Sequence, residues 1–118
     1  MINIKKNLKS YKYAIKGLKH LLIFENNARI HLAATLFILI LSAYFNIEET
    51  EWLWIVLAIT IVWITELLNT AIEKIVDFIS PEFHPAAGKI KDLSAAAVLI
   101  AAIFALIVGV VIFKKYFF

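Results

Sequence analysis

Cysteine is absent from the 118-residue chain, so neither disulfides nor thiolate metal sites can form. Glycine occurs only as Gly17, Gly88 and Gly109, too sparsely for a glycine-rich phosphate loop of the Walker or Rossmann kind. Residues 46–51 carry no basic side chain and instead hold Glu48, Glu49 and Glu51. No secretory signal is expected, because the first long apolar run begins only near residue 28, behind many lysines. Apolar residues, by contrast, make up 63% of the chain, and its mean hydropathy is +0.86. That balance excludes an ordinary soluble domain and points to a membrane protein. The length suits one unit covering residues 1–118. The net charge of +3 bears on membrane topology rather than on nucleic acid.

Three runs are long enough to cross a bilayer, which needs about 20 mostly apolar residues. They are expected at about 28–46, 52–80 and 89–113. Before them, residues 2–23 alternate Ile4, Leu8, Tyr11, Ile15 and Leu18 with Lys5, Lys9, Lys12, Lys16 and Lys19. This is the pattern of a basic amphipathic helix lying in the membrane interface. The expected fold is therefore all-α and integral to the membrane, with three transmembrane helices and an N-terminal surface helix. Seven basic residues lie before the first span or at its start, counting Arg29, and three fall from Lys74 to Lys91, whereas the 46–51 turn has none. The positive-inside rule then places the N-terminus and the second loop in the cytoplasm.

The second run contains only fourteen residues between Trp52 and Glu66, so the helix must continue past Glu66 to cross. Helical phase puts Asn69, Glu73 and Asp77 at about −60°, −20° and +20° from Glu66, all on one face. Charge at the bilayer centre costs roughly 2.5–3.5 kcal/mol per residue, and an intramembrane carboxylate is functional by default. The expected partner of this stripe is a divalent cation with a phosphate-bearing ligand. Glu25, His84, Lys91 and Asp92 fall at the same membrane level. Magnesium takes one or two carboxylates plus phosphate oxygens, which makes Glu25 and Glu73 candidate ligands. Lys91 is placed to offset charge on a transferring phosphoryl group. Glu66, the deepest, suits a general base for a lipid hydroxyl. A small proton-coupled exporter using Glu66, or a non-catalytic helical scaffold, are alternatives.

The run ELLNTAIEKIVDFISPEFHPAAGKIKDLSAAAVL (residues 66–99) resembles the signature of the prokaryotic diacylglycerol kinase family, and FENNARIHL (residues 24–32) resembles that family's upstream block. The resemblance covers essentially the whole chain. It implies a homotrimer in the bacterial inner membrane that moves the ATP γ-phosphate onto a membrane lipid alcohol, with magnesium and a cytoplasmic active site. By position, it implies Glu66 as catalytic base, with Asn69 and Lys91 also catalytic, and Glu25 and Glu73 as metal and ATP ligands. It further implies nucleotide contacts from Lys6, Tyr13, Asp77, Glu82, Phe83, His84, Lys91 and Asp92. Glu66 and position 95 would meet the lipid. Ala95 departs from the serine of the Gram-negative diacylglycerol kinases, and ENNARIHL is similar to the block of the undecaprenol kinases, while GKIKD keeps the Gram-negative glycine. Diacylglycerol is the expected substrate, with undecaprenol as the alternative.

Overall fold

Lysine-rich helix α1 cannot run directly into the first apolar span, because one must lie along the membrane surface and the other cross it. Glu25 makes the corner. The computed structural model describes all residues from Met1 to Phe118. In it, α1 (Ile4–Phe24) ends where Glu25 turns extended, with φ −106° and ψ 117°. Glu25 in turn leads into α2 (Asn26–Tyr44). The Arg29 guanidinium folds back across the corner and donates to the carbonyls of Leu22, at 3.0 Å, and Ile23. These carbonyls belong to the last turn of α1, which has no partners of its own within the helix. At the other end of α1, the Asn3 side chain accepts from the Lys6 amide at 3.1 Å. Leu21 is the only buried residue of α1.

Helices α3 (Glu49–Ile79) and α4 (Pro85–Phe117) pack along one another as an antiparallel hairpin. The α2 helix lies against α3, and the α2 and α4 backbones do not come together. All three of these helices are long and apolar enough to span a membrane. At 1.5 Å per residue, α2 is about 28 Å long, close to the hydrocarbon thickness, whereas α3 and α4 reach about 46 and 50 Å. The α4 helix outruns the span expected at 89–113 at both ends, α3 starts before the expected residue 52 and stops one residue short of 80, and α2 starts two residues before the expected 28 and stops two short of 46. The reason for the extensions is that an apolar window marks only the part inside hydrocarbon, while capped backbone continues into the headgroup layer. Caps explain the extra turns. Glu48 and Glu51 form a reciprocal capping box at the start of α3. His84 caps α4, with Pro85 in its first turn.

Only 16 of 118 residues are buried, so most apolar side chains are left for lipid or for other chains. The compact cluster lies at the α2–α3 turn, where Ile47, Ile55 and Ala58 meet Val108, Ile112 and Phe113. A second set of contacts fixes the register there. Glu51 accepts from the Tyr116 hydroxyl at 2.8 Å, and Lys115 lies 2.8 Å from its other oxygen. Asn46 forms the turn itself with φ 50°, a left-handed conformation that asparagine tolerates and branched residues do not. Replacing it with valine should destabilise the protein by about 1–2 kcal/mol. Asn46→Gly should lose nothing. Denaturation midpoints in detergent compare the three proteins, and equal midpoints for Asn46→Val and the parent would contradict this account.

Candidate active site

The polar stripe survives folding as a set of named contacts. Glu66 is buried to 2% exposure, and its Oε2 finds no hydrogen-bond partner. The nearest cationic candidate is His31 of α2, whose Nε2 lies 3.4 Å away. His31 is five residues into α2, so Glu66 sits about 8 Å below the start of that helix. A buried carboxylate with only one histidine beside it and no hydrogen bond at Oε2 is costly to keep, so its position calls for a ligand or a reaction.

Asn69 is held from two sides. Its Oδ1 accepts from the Ser94 hydroxyl of α4 at 2.7 Å, and its Nδ2 donates to Glu73 Oε1 at 3.2 Å. The serine decides which way the amide points, and the amide then orients Glu73. Helical phase thus correctly gathers Glu66, Asn69 and Glu73. Asp77 lies one turn further, is exposed, and pairs with Lys91 at 2.5 Å. A pair so exposed contributes about 0–1 kcal/mol, which leaves Lys91 able to change partners.

The remaining expected site residues are more dispersed. Glu25 stands half-buried at the α1–α2 corner. Glu82, Phe83, His84 and Asp92 are exposed around the α3–α4 loop. His84 has a structural task there, since its Nδ1 accepts from the Ala86 amide at 3.1 Å. Lys6 and Tyr13 are exposed on α1. Ala95 is exposed on α4, next to the buried Ser94. No three acidic or imidazole groups converge into a ready metal cage within one chain.

An apolar groove of about 570 Å³ runs between α2, α3 and α4, with His31, the neighbour of Glu66, in its wall. His31 and Thr35 stand at its Glu66 end, and Phe113, Lys114 and Phe118 at the other. Between them the walls are hydrocarbon, including Ile38, Ala58, Val62 and Leu106. Thr35 accepts from the Trp63 indole at 3.0 Å.

The family model for prokaryotic diacylglycerol kinase matches residues 12–113. The chain belongs to this family. It is 39% identical to a diacylglycerol kinase of Helicobacter pylori over 100 residues, covering 85% of this chain and 78% of the relative. It is 38% identical to the undecaprenol kinase of Bacillus subtilis over 105 residues, covering 89% and 85%. A diacylglycerol kinase of Escherichia coli K12 is 33% identical over 110 residues, covering 93% and 90%. The protein is thus a multi-pass membrane lipid kinase that uses ATP, and the exporter and scaffold alternatives fall away.

Sequence reasoning gave this kinase no role for His31, Thr35, Trp63 or Ser94. His31 carried a usable signal, an ionisable side chain inside a span. Ser94 carried none, because a serine beside an alanine run is ordinary helix-packing material. Its importance can be measured. Ser94→Ala leaves the buried Asn69 oxygen without a donor and should cost about 0.5–2 kcal/mol. Ser94→Thr keeps the hydroxyl and should cost less. Unfolding in detergent reports both, and an alanine variant as stable as the parent would show that the bond carries no weight.

Proposed function

We propose that the protein transfers the γ-phosphate of ATP to the free hydroxyl of diacylglycerol, giving phosphatidic acid. The observation that carries this reading is the buried Glu66 carboxylate, which makes no hydrogen bond at Oε2 and lies 3.4 Å from His31, a residue lining the polar end of an apolar groove. A lipid lying in the groove keeps its tails in hydrocarbon and brings its alcohol to Glu66. Glu66 accepts the hydroxyl proton as the alcohol oxygen bonds to the γ-phosphorus. The bond from that phosphorus to the bridging oxygen breaks, and ADP departs. Proton removal and orientation are the tasks left to the protein, because phosphoryl transfer depends mainly on positioning and electrostatics.

Glu73 and Glu25 are the residues that would hold magnesium. The fit rests on donor chemistry: both are hard oxygen ligands, and the Asn69 bond to Glu73 Oε1 leaves Oε2 uncommitted. Magnesium usually takes one or two carboxylates together with phosphate oxygens. Bound there, it would neutralise charge on the phosphates. Lys91, released from Asp77, would meet the transferring group. Lys6, Tyr13, Glu82, Phe83, His84, Asp77 and Asp92 supply the nucleotide-facing surface in this reading. The basic N-terminal segment and the loop lysines support a cytoplasmic site in the bacterial inner membrane. The sparse burial of a single chain supports association of copies, three by the family resemblance.

Undecaprenol is the second reading. It is favoured by the long hydrocarbon stretch of the groove and by the likeness to the Bacillus enzyme. Presenting each purified lipid with ATP in nanodiscs, and detecting phosphatidic acid or undecaprenyl phosphate, separates the two; product from the polyprenol alone would reverse the assignment. Glu66→Gln should lower turnover by about 10²-fold or more while ATP binding persists. Lost nucleotide affinity with turnover preserved would remove Glu66 from the base role. Glu73→Gln should move the magnesium dependence of the rate to higher concentration, and an unchanged titration would argue against a metal ligand there.

A further inference from the structure

A groove that only sheltered hydrocarbon would need no polar side chain inside the membrane, yet one hydroxyl in it is held in place. Thr35 lies on α2 one turn beyond His31, and the two line the Glu66 end of the groove together. Their separation along the helix is about 6 Å. Because α2 runs away from the corner at Glu25, Thr35 is the deeper of the two. The Trp63 indole donates to Thr35 Oγ1 at 3.0 Å. That bond occupies an acceptor position on the oxygen and leaves the hydroxyl proton to be given elsewhere. Three other hydroxyls in these spans return their proton to the preceding helical turn, Ser42 to Ile38, Thr60 to Val56 and Thr65 to Ile61, and Ser94 gives its own to Asn69. Thr35 makes no such bond and faces the groove half-buried.

We infer that Thr35, oriented by Trp63, is a specificity-determining residue that donates to an ester carbonyl of an acylglycerol whose free hydroxyl sits at Glu66. This rests on the reading of the groove as the lipid site. The order of groups fits the lipid's own order. In an acylglycerol the alcohol is outermost, the ester carbonyls come next, and the tails lie deepest. The groove presents His31, which stands 3.4 Å from the Glu66 carboxylate behind it, then Thr35, then hydrocarbon walls. A polyprenol has no carbonyl and would leave the Thr35 proton unused, a difference that hydrogen-bonding sites exploit against substrates lacking the partner group.

The test compares a diacylglycerol with the corresponding dialkyl ether glycerol, which has the same hydroxyl and tails but no carbonyls. The readout is the ratio of kcat/KM for the two lipids, measured on the purified full-length protein in nanodiscs. The parent should prefer the ester lipid. Thr35→Val, close in shape but without the hydroxyl, should reduce that preference by roughly three- to tenfold, mainly through KM for the ester lipid. Thr35→Ser should restore it, and Trp63→Phe should give an intermediate ratio. A ratio unmoved in Thr35→Val, with both lipids phosphorylated, overturns the inference and leaves the kinase reading intact. Equal losses on both lipids also overturn it, because they mark a structural role. A parent that phosphorylates only a polyprenol overturns the diacylglycerol reading itself.

Discussion

Glu66 places a carboxylate inside a membrane-spanning helix, with one oxygen unpartnered and no arginine or lysine beside it. Hydrocarbon supplies no water to offset that cost, so the surrounding helices must set its depth closely. The shortness of α2 does much of this, since about 28 Å of helix leaves little freedom to slide across the bilayer. The opposite end of the hairpin does the rest. There Glu51 collects Tyr116 and Lys115, and the surrounding apolar cluster fixes how α4 stands against α3. A slip of one turn would take Ser94 from Asn69 and Lys91 from Asp77 together. The contacts farthest from Glu66 are thus coupled to its alignment through two rigid helices.

The same geometry suits a substrate that never leaves the bilayer. A soluble substrate calls for an enclosed pocket, whereas a lipid can enter sideways between helices. The α2 and α4 backbones stay apart, and the groove between them is lined by hydrocarbon over most of its length. Its lining turns polar at His31 and Thr35, near Glu66, and again at Lys114 at the far end.

Much of this was legible in the sequence because membranes simplify the reading. Apolar run lengths identified the spans, and helical phase gathered Glu66, Asn69 and Glu73 without reference to any other helix. What escaped was everything that depends on how one helix faces another. His31 meeting Glu66 and Ser94 meeting Asn69 require a rotation of α2 or α4 about its axis, and no periodicity within a nearly uniform apolar span fixes that angle. Arg29 entered the sequence reading as a topology-setting charge. Its folded task, closing the last carbonyls of α1, depends on the corner at Glu25. The starts of the spans and the end of α4 were also underestimated, because hydropathy stops at the headgroups while the backbone ladder continues to its caps.

The proposed association of copies follows from an asymmetry between the two sides of the site. On the lipid side, Glu66 and Ser94 are buried and Asn69 is fixed by two bonds. On the phosphate side, Glu73 and Lys91 are only half-buried, Asp77 and Asp92 are exposed, and α1 is exposed along almost its whole length. Phosphoryl transfer in such an open setting would compete with water for the γ-phosphate, and charges in high dielectric stabilise little of the transition state. Closing that side requires low-dielectric surface, and a single chain has already committed α3 and α4 to each other. The exposed apolar faces of a neighbouring copy offer such surface without further sequence. On this view the single chain fixes the base and the lipid's place, and assembly completes the environment of the phosphates.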